Sequence, residues 1–343
     1  ALAMFELIID RYHETKPFPQ ALWQAALLQD GREENEQAAA FYERLVDDCP
    51  QFPEIDAALY NWAWALDDLG RGEEAHELFD RVRRDHPESS YWADAAFRLA
   101  QRSYEARDYD RSGQFIADLL AADPSGQILE NTLYLKGQLA AAQAKWDEAR
   151  RSFETLLRNH PESSLQLMAE YGIAEATFRQ DDYGRAGEQF ELLRRRTHDR
   201  SEPWLAVVHL RLAQSLCQRK EWDEAFEVAS TIEARYPNFE EQYEVDYVIG
   251  RCLSSRAEFD QARASYEKVI RSPGGEKTET AAKAQLMIAE SYYPQKNYQT
   301  ALREYLALEI LYDYPTWQAA ALLQAAKCHE MLGEWKQAVD LYK

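Results

Sequence analysis

The stretch GQLAAAQAKWDEARRSFETLLRNHP, residues 137–161, decides how this chain is read. Its landmarks are Gly137, Trp146, Ala149, Phe153, Leu156 and Pro161, at −12, −3, 0, +4, +7 and +12 counted from Ala149. Offsets of 0, +4 and +7 share one face of an α-helix. A proline at +12 cannot continue that helix. The segment predicts a helix that begins near Trp146, buries Ala149, Phe153 and Leu156, and ends before Pro161.

The same frame recurs on both sides. Ala38, Ala75, Ser112, Ala149, Ala186, Ala225, Ala262, Ala301 and Ala338 follow one another at intervals of 37 or 39 residues. Twelve residues before each stands a small residue: Ala26, Ala63, Ala100, Gly137, Ala174, Ala213, Gly250, Ala289 and Ala326. That offset holds where the interval lengthens, so the extra residues fall between hairpins and not inside them. An aromatic stands at −3 as Tyr109, Trp146, Tyr183, Trp222, Phe259, Tyr298 and Trp335, and proline at +12 as Pro50, Pro87, Pro124, Pro161 and Pro237. Each period therefore predicts a helix A, a tight turn, a helix B and a proline-containing link. Serines after the proline, in Asp85–Ser90 and Asn159–Ser164, are placed to cap the next helix A. Self-similarity at this length is the mark of stacked helical hairpins. It predicts that every anchor and every small helix A residue is buried at a helix crossing.

This pattern resembles the tetratricopeptide repeat, whose marks are the small residue in helix A, the aromatic at the turn, the Ala and bulky residue of helix B and the closing proline. The resemblance implies an all-α, right-handed superhelical solenoid of about nine helix-turn-helix repeats, read as one array over residues 1–343. The units are longer than the family's usual ones. With their P-x-S entry to helix A they are similar to repeats of bacterial envelope proteins, which implies a bacterial cytoplasmic, periplasmic or outer-membrane-associated setting. Ala1, Phe5 and Ile8 fit helix B offsets, and Lys343 also falls in a helix B, so the chain is expected to be a stretch of a longer protein.

The resemblance also implies a role: a non-enzymatic scaffold or adaptor that binds a protein or peptide along the concave helix A face, without cofactor or metal. The family's groove offsets are −3, +1 and +4 from the small residue. They fall on Trp23, Tyr60, Phe97, Tyr134, Tyr171 and Tyr247, on Trp64, and on Asp30, Asp67, Tyr104 and Phe178. The first five of these rings recur at every repeat and are expected to line one face as contacts for a partner. Asp30 and Asp67, with Asp68 beside them, favour a partner carrying Lys or Arg. Two other roles fit the same pattern: a structural component of an envelope or surface assembly, and the regulatory arm of a larger enzyme.

Composition narrows the field further. Net charge is −21, and residues 30–80 hold 15 acidic and 3 basic residues. Nucleic acid is thereby excluded as the main partner, since that affinity needs clustered Lys and Arg. No stretch is apolar enough to predict a transmembrane segment. Cys49, Cys217, Cys252 and Cys328 form no C-x-x-C pair and read as free, partly buried thiols. Phosphate-loop, zincin, nucleophile-elbow and dinucleotide motifs are missing. Gly274–Thr278 lacks phosphate-loop spacing and reads as an insertion, and His86, His160 and His198 read as turn residues. Arg194, Arg195, Arg196 and Arg200 form the one basic cluster, placed to favour the free carbonyls at a helix B end or to hold a phosphate or carboxylate.

Overall fold

The computed structural model describes all 343 residues and falls into two compact units, Ala1–Ala169 and Glu170–Lys343, both helical without strands. The first holds α1 (Leu2–Arg11), α2 (Pro17–Asp30), α3 (Asn35–Asp48), α4 (Ile55–Asp68), α5 (Gly72–Asp85), α6 (Trp92–Glu105), α7 (Tyr109–Ala121), α8 (Gly126–Ala142) and α9 (Trp146–Asn159). The second is built from α10 (Gln166–Arg179), which begins just ahead of it, α11 (Tyr183–Arg196), α12 (Leu205–Gln218), α13 (Trp222–Ser230), α14 (Ile232–Arg235), α15 (Gln242–Ser255), α16 (Phe259–Arg271), α17 (Glu279–Tyr292), α18 (Tyr298–Leu311), α19 (Pro315–Leu332) and α20 (Trp335–Tyr342). Successive helices pair as A and B of a hairpin, and α13 and α14 are one helix B broken at Thr231. No helix is long and apolar enough to cross a membrane.

The boundaries follow the sequence frame. The seven aromatics at −3 are each the first residue of a helix B, and the helices before Pro50, Pro87, Pro124, Pro161 and Pro237 end two or three residues short of them. The residue before a proline is pushed out of the α region, which stops the helix there.

All nine anchors and all nine small helix A residues are buried. Their tight packing is set by what faces them. A Cβ added at Gly137 would lie 2.4 Å from Phe153 Cε1, and one at Gly250 would lie 2.5 Å from Tyr266 Cε1. Glycine at these positions is thus required by the approach of a helix B ring. Where the anchor is polar it is satisfied: the Ser112 hydroxyl donates to the Ala100 carbonyl at 2.9 Å. Tyr42, Phe79, Phe190, Tyr266 and Tyr305 fill the same layer and are fully buried. Each such side chain contributes about 1.5–3 kcal/mol by leaving water.

The turn from helix A to helix B is the same in every hairpin. The residue two before helix B has positive φ: Glu33, Gly70, Arg107, Ala144, Asp181, Lys220, Ala257, Lys296 and Gly333. The next amide closes a six-to-one backbone bond, as from Asp108 N to Ser103 O at 2.8 Å and from Glu258 N to Leu253 O at 3.0 Å. This is the Schellman motif, which satisfies carbonyls at the end of helix A.

The serine expectation is corrected. Ser89 and Ser163 do not cap helix A: α6 has Tyr91 at its N-cap with no side-chain bond. The hydroxyls accept from the amide two residues on, Tyr91 and Leu165. They donate to the preceding helix A, Ser89 to Asp56 and Ser163 to Glu130, both at 2.6 Å. The P-x-S link therefore ties neighbouring hairpins together.

Two predictions follow from the packing. Gly137→Ala should push against Phe153 and lower stability by about 1–3 kcal/mol, read as a fall in the urea midpoint with an unchanged m-value. The second concerns pH. His209 on α12 is buried, its Nδ1 has no hydrogen-bond partner, and burial, then Arg235 and Arg194, push its pKa down to about 4. Unfolded, it titrates near about 6.5. Between those values the unfolded chain binds the extra proton, so this group loses stability as pH falls, at up to about 1.4 kcal/mol per pH unit. Asp246 works the other way: burial raises its pKa from 3.8 to about 6, so the folded chain holds the proton and gains stability as pH falls through that window. The two slopes offset each other. His209→Leu removes one of them, and the variant should gain stability relative to the parent chain between about pH 6.5 and pH 4.5, measured by paired urea titrations.

Candidate functional site

The rings expected along the helix A face are half inside the core. Trp23 packs on Tyr42, Tyr60 on Phe79, Tyr134 on Phe153, Tyr171 on Phe190 and Tyr247 on Tyr266, with centroids 5.5 to 6.2 Å apart. In each pair a helix A ring three residues before the small position meets a helix B ring four after the anchor. Their first role is to close the hairpin, and each is left partly exposed. Phe97 is more enclosed than the other rings of the set. At 8% exposure it belongs to the core.

In the first unit the remaining surface is largely engaged by the chain itself. Tyr60 stacks on Tyr91 at 4.6 Å, and its hydroxyl donates to Asp94. Burial and that bond push its pKa up to about 12, so it stays protonated. The Arg98 guanidinium lies 4.3 Å from the Trp64 ring centre, and Tyr104 packs beside Tyr109 at 6.0 Å. Asp67 is paired with Arg102 at 2.7 Å. Asp68 accepts from Asn35 at 3.4 Å, and the Asp30 carboxyl is raised by burial and by the Asp68 charge. One of the three aspartates is thus neutralised within the fold.

In the second unit the inner helices enclose a cleft of about 570 Å³. Phe178 and Arg179 enter it from α10, Arg211, Gln214 and Cys217 from α12, Tyr247 and Arg251 from α15, Thr280 and Lys283 from α17, and Trp317 from α19. Five of its walls come from groove offsets read in the sequence, at Phe178, Gln214, Cys217, Tyr247 and Arg251. Tyr171 is near enough to influence Arg211.

The electrostatics of this cleft are built around Arg211. Its guanidinium bonds Glu175 at 2.9 Å and Gln214 at 2.8 Å and lies over Phe178 at 5.6 Å. Burial opposes its charge, but Glu175, Tyr171 and Glu241 together outweigh that and raise its pKa. Glu175 also pairs with Arg179 at 2.7 Å. Lys283 pairs with Glu279 at 3.0 Å and lies over Trp317, whose indole donates to the same carboxylate at 2.8 Å. Glu244 accepts from Thr280 and, at 3.4 Å, from Gln214. Arg251 differs from the other cations: it lies 5.4 Å over Trp222 and has no carboxylate at ion-pairing distance. Arg211, Lys283 and Trp317 stand off the expected groove offsets, and no periodic signal marks them.

The basic cluster at the end of α11 is already occupied. Arg194 and Arg195 pair with Glu191 at 2.7 and 2.6 Å, and Arg196 with Glu170 at 2.5 Å.

Family profiles match nearly the length of the chain. One described as a tetratricopeptide repeat-like domain covers residues 130–279. Others described as tetratricopeptide repeat cover 60–126 and 247–315, and 20–51 and 320–343. The chain belongs to the tetratricopeptide repeat family. Among solved structures, this tetratricopeptide repeat protein is similar to one from Parabacteroides merdae at 13% identity and a TM-score of 0.54, over 80% of this chain and 98% of that one. It is also similar to the apo form of RapI at 10% identity and a TM-score of 0.57, over 95% of each. At such identities the likeness is one of fold. No curated protein matches the sequence.

The Arg211–Glu175 pair is mostly buried, with side-chain exposures of 13% and 16%. Glu175→Gln leaves that guanidinium uncompensated and should cost about 3 kcal/mol or more. Adding Arg211→Met to it should recover most of the loss, as read by chemical denaturation.

Proposed function

We propose that this tetratricopeptide repeat protein is a non-enzymatic interaction scaffold, and that the cleft of its second unit takes an extended segment of a protein partner. The observation that carries this reading is Arg251, a cation facing a ring-lined cleft without a carboxylate of its own. A segment with an acidic side chain, flanked by an apolar or aromatic one, matches it. The acid pairs with Arg251, and the neighbour lies against Phe178, Tyr247 or Trp317.

The whole chain carries a charge of −21, which repels acidic partners at long range. That repulsion is screened beyond a Debye length of about 8 Å at physiological salt. A charge-assisted hydrogen bond inside a partly dry cleft is worth about 1.5–3 kcal/mol. The local term therefore outweighs the distant one.

A second reading rests on Asp30. The crowding of its carboxyl against Asp68 would be relieved by a Lys or Arg of a partner, so the first unit can contribute a cation-selective face.

Capture with the full chain, followed by titration of the recovered partner segment, separates the two. Arg251→Glu should weaken binding about 10- to 100-fold, the equivalent of about 1.5–3 kcal/mol. Unchanged affinity in this variant, with a loss on Asp30→Asn and Asp68→Asn together, would move the site to the first unit.

A further inference from the structure

Two thiols of the second unit meet across neighbouring hairpins. Cys217, near the end of α12, and Cys252, on α15, have their Sγ atoms 3.7 Å apart. Both are buried, both are free, and their helices pack directly on each other. Cys217 and Cys252 stand at different offsets in the repeat, so nothing periodic brings this pair together. A disulfide needs its sulfurs at about 2.05 Å. The remaining gap is about the length that small rotations of two side chains close.

We propose that Cys217 and Cys252 are a dithiol that closes into an intramolecular disulfide on meeting a peroxide. Cys217 is also a wall residue of the cleft, which gives a molecule as small as hydrogen peroxide a route to its sulfur. Cys252 lies behind it and is positioned to resolve the first oxidation product. The surroundings favour this order. The contact between the two sulfurs lowers the Cys217 pKa against the effect of burial and raises that of Cys252, and the Arg251 charge lowers both. The thiolate is the nucleophile in thiol oxidation.

The chemistry balances in two steps. The Cys217 thiolate attacks one peroxide oxygen, the O–O bond breaks, and the products are a sulfenic acid on Cys217 and hydroxide, which takes up a proton to become water. The Cys252 sulfur then attacks the Cys217 sulfur, the S–O bond breaks, and the hydroxyl leaves with the Cys252 proton as a second water. Two thiols are oxidised by two electrons in total, and one peroxide is reduced to two waters. The product joins α12 to α15 in the wall of the cleft, between the segments that carry Arg211 and Arg251.

The full chain, reduced and then freed of reductant, is exposed to a small excess of hydrogen peroxide. Thiols still free are alkylated under denaturing conditions, and the protein is digested without reductant. The expected product is the Cys217 peptide joined to the Cys252 peptide, lighter than their sum by two hydrogens, formed before Cys49 or Cys328 reacts and reversed by dithiothreitol. In Cys252→Ser the resolving sulfur is gone, so Cys217 should accumulate as a sulfenic acid that dimedone traps. The mapping of the parent chain stands whether or not that variant folds. Cys217 and Cys252 both remaining alkylatable while Cys49, the most exposed of the four, is consumed would overturn the proposal. So would linked peptides that join two chains.

Discussion

The close approach of helix A to helix B at one small residue is the constraint on which the rest of each hairpin depends. With Ala or Gly on one axis and an alanine anchor near the crossing, the backbones come near enough for side chains three and four residues away to touch. That is why the helix A ring and the helix B ring meet in five hairpins at nearly the same separation. At Gly137 and Gly250 the opposing ring already occupies the space of a Cβ, so even alanine is too large. The turn must then reverse the chain over a short gap, which it does with a left-handed residue and a six-to-one backbone bond in every hairpin.

Charge is handled locally within this frame. Most arginines answer a carboxylate within a turn of their own helix or on the adjacent hairpin, as Arg102 does with Asp67 and Arg256 with Asp223. Exposed pairs of this kind add little stability, about 0–1 kcal/mol each. Their larger effect is to engage most of the guanidinium groups within the chain itself. Against that background an unanswered guanidinium in a cleft carries more information than the total charge of the chain.

What the sequence shows and what it hides divide along the same line. Features that packing demands of every repeat are legible: the small residue, the anchor, the aromatic opening helix B and the proline beyond it all stand where the period puts them. Features demanded once are not. Arg211, Lys283 and Trp317 line one cleft only because the helices that carry them stack in succession, and their offsets are unlike one another. Cys217 and Cys252 meet for the same reason. The left-handed turns are hidden for another cause: only Gly70 and Gly333 among the nine are glycine, and the hairpin packing imposes the conformation on residues as unlike as Ala144 and Lys220. Phe97 shows the limit of carrying offsets from one repeat to the next. It occupies the position of the other rings, but Ile116 stands where its neighbours have an aromatic partner, and the ring is drawn into the core.

Within each unit a helix packs only on those one or two places along the chain, with α13 and α14 counted as one. Mechanical tension along such a unit has no distant contact to spread into and passes through the seams in series. Each seam resists with its own apolar layer and a few specific ties, such as the Ser89 hydroxyl on Asp56 or the Tyr314 hydroxyl on the Lys277 carbonyl. The weakest seam yields first and pays out one hairpin of slack while the others stay folded. A chain stacked this way has a physical means to lengthen under load without surrendering the whole of its structure.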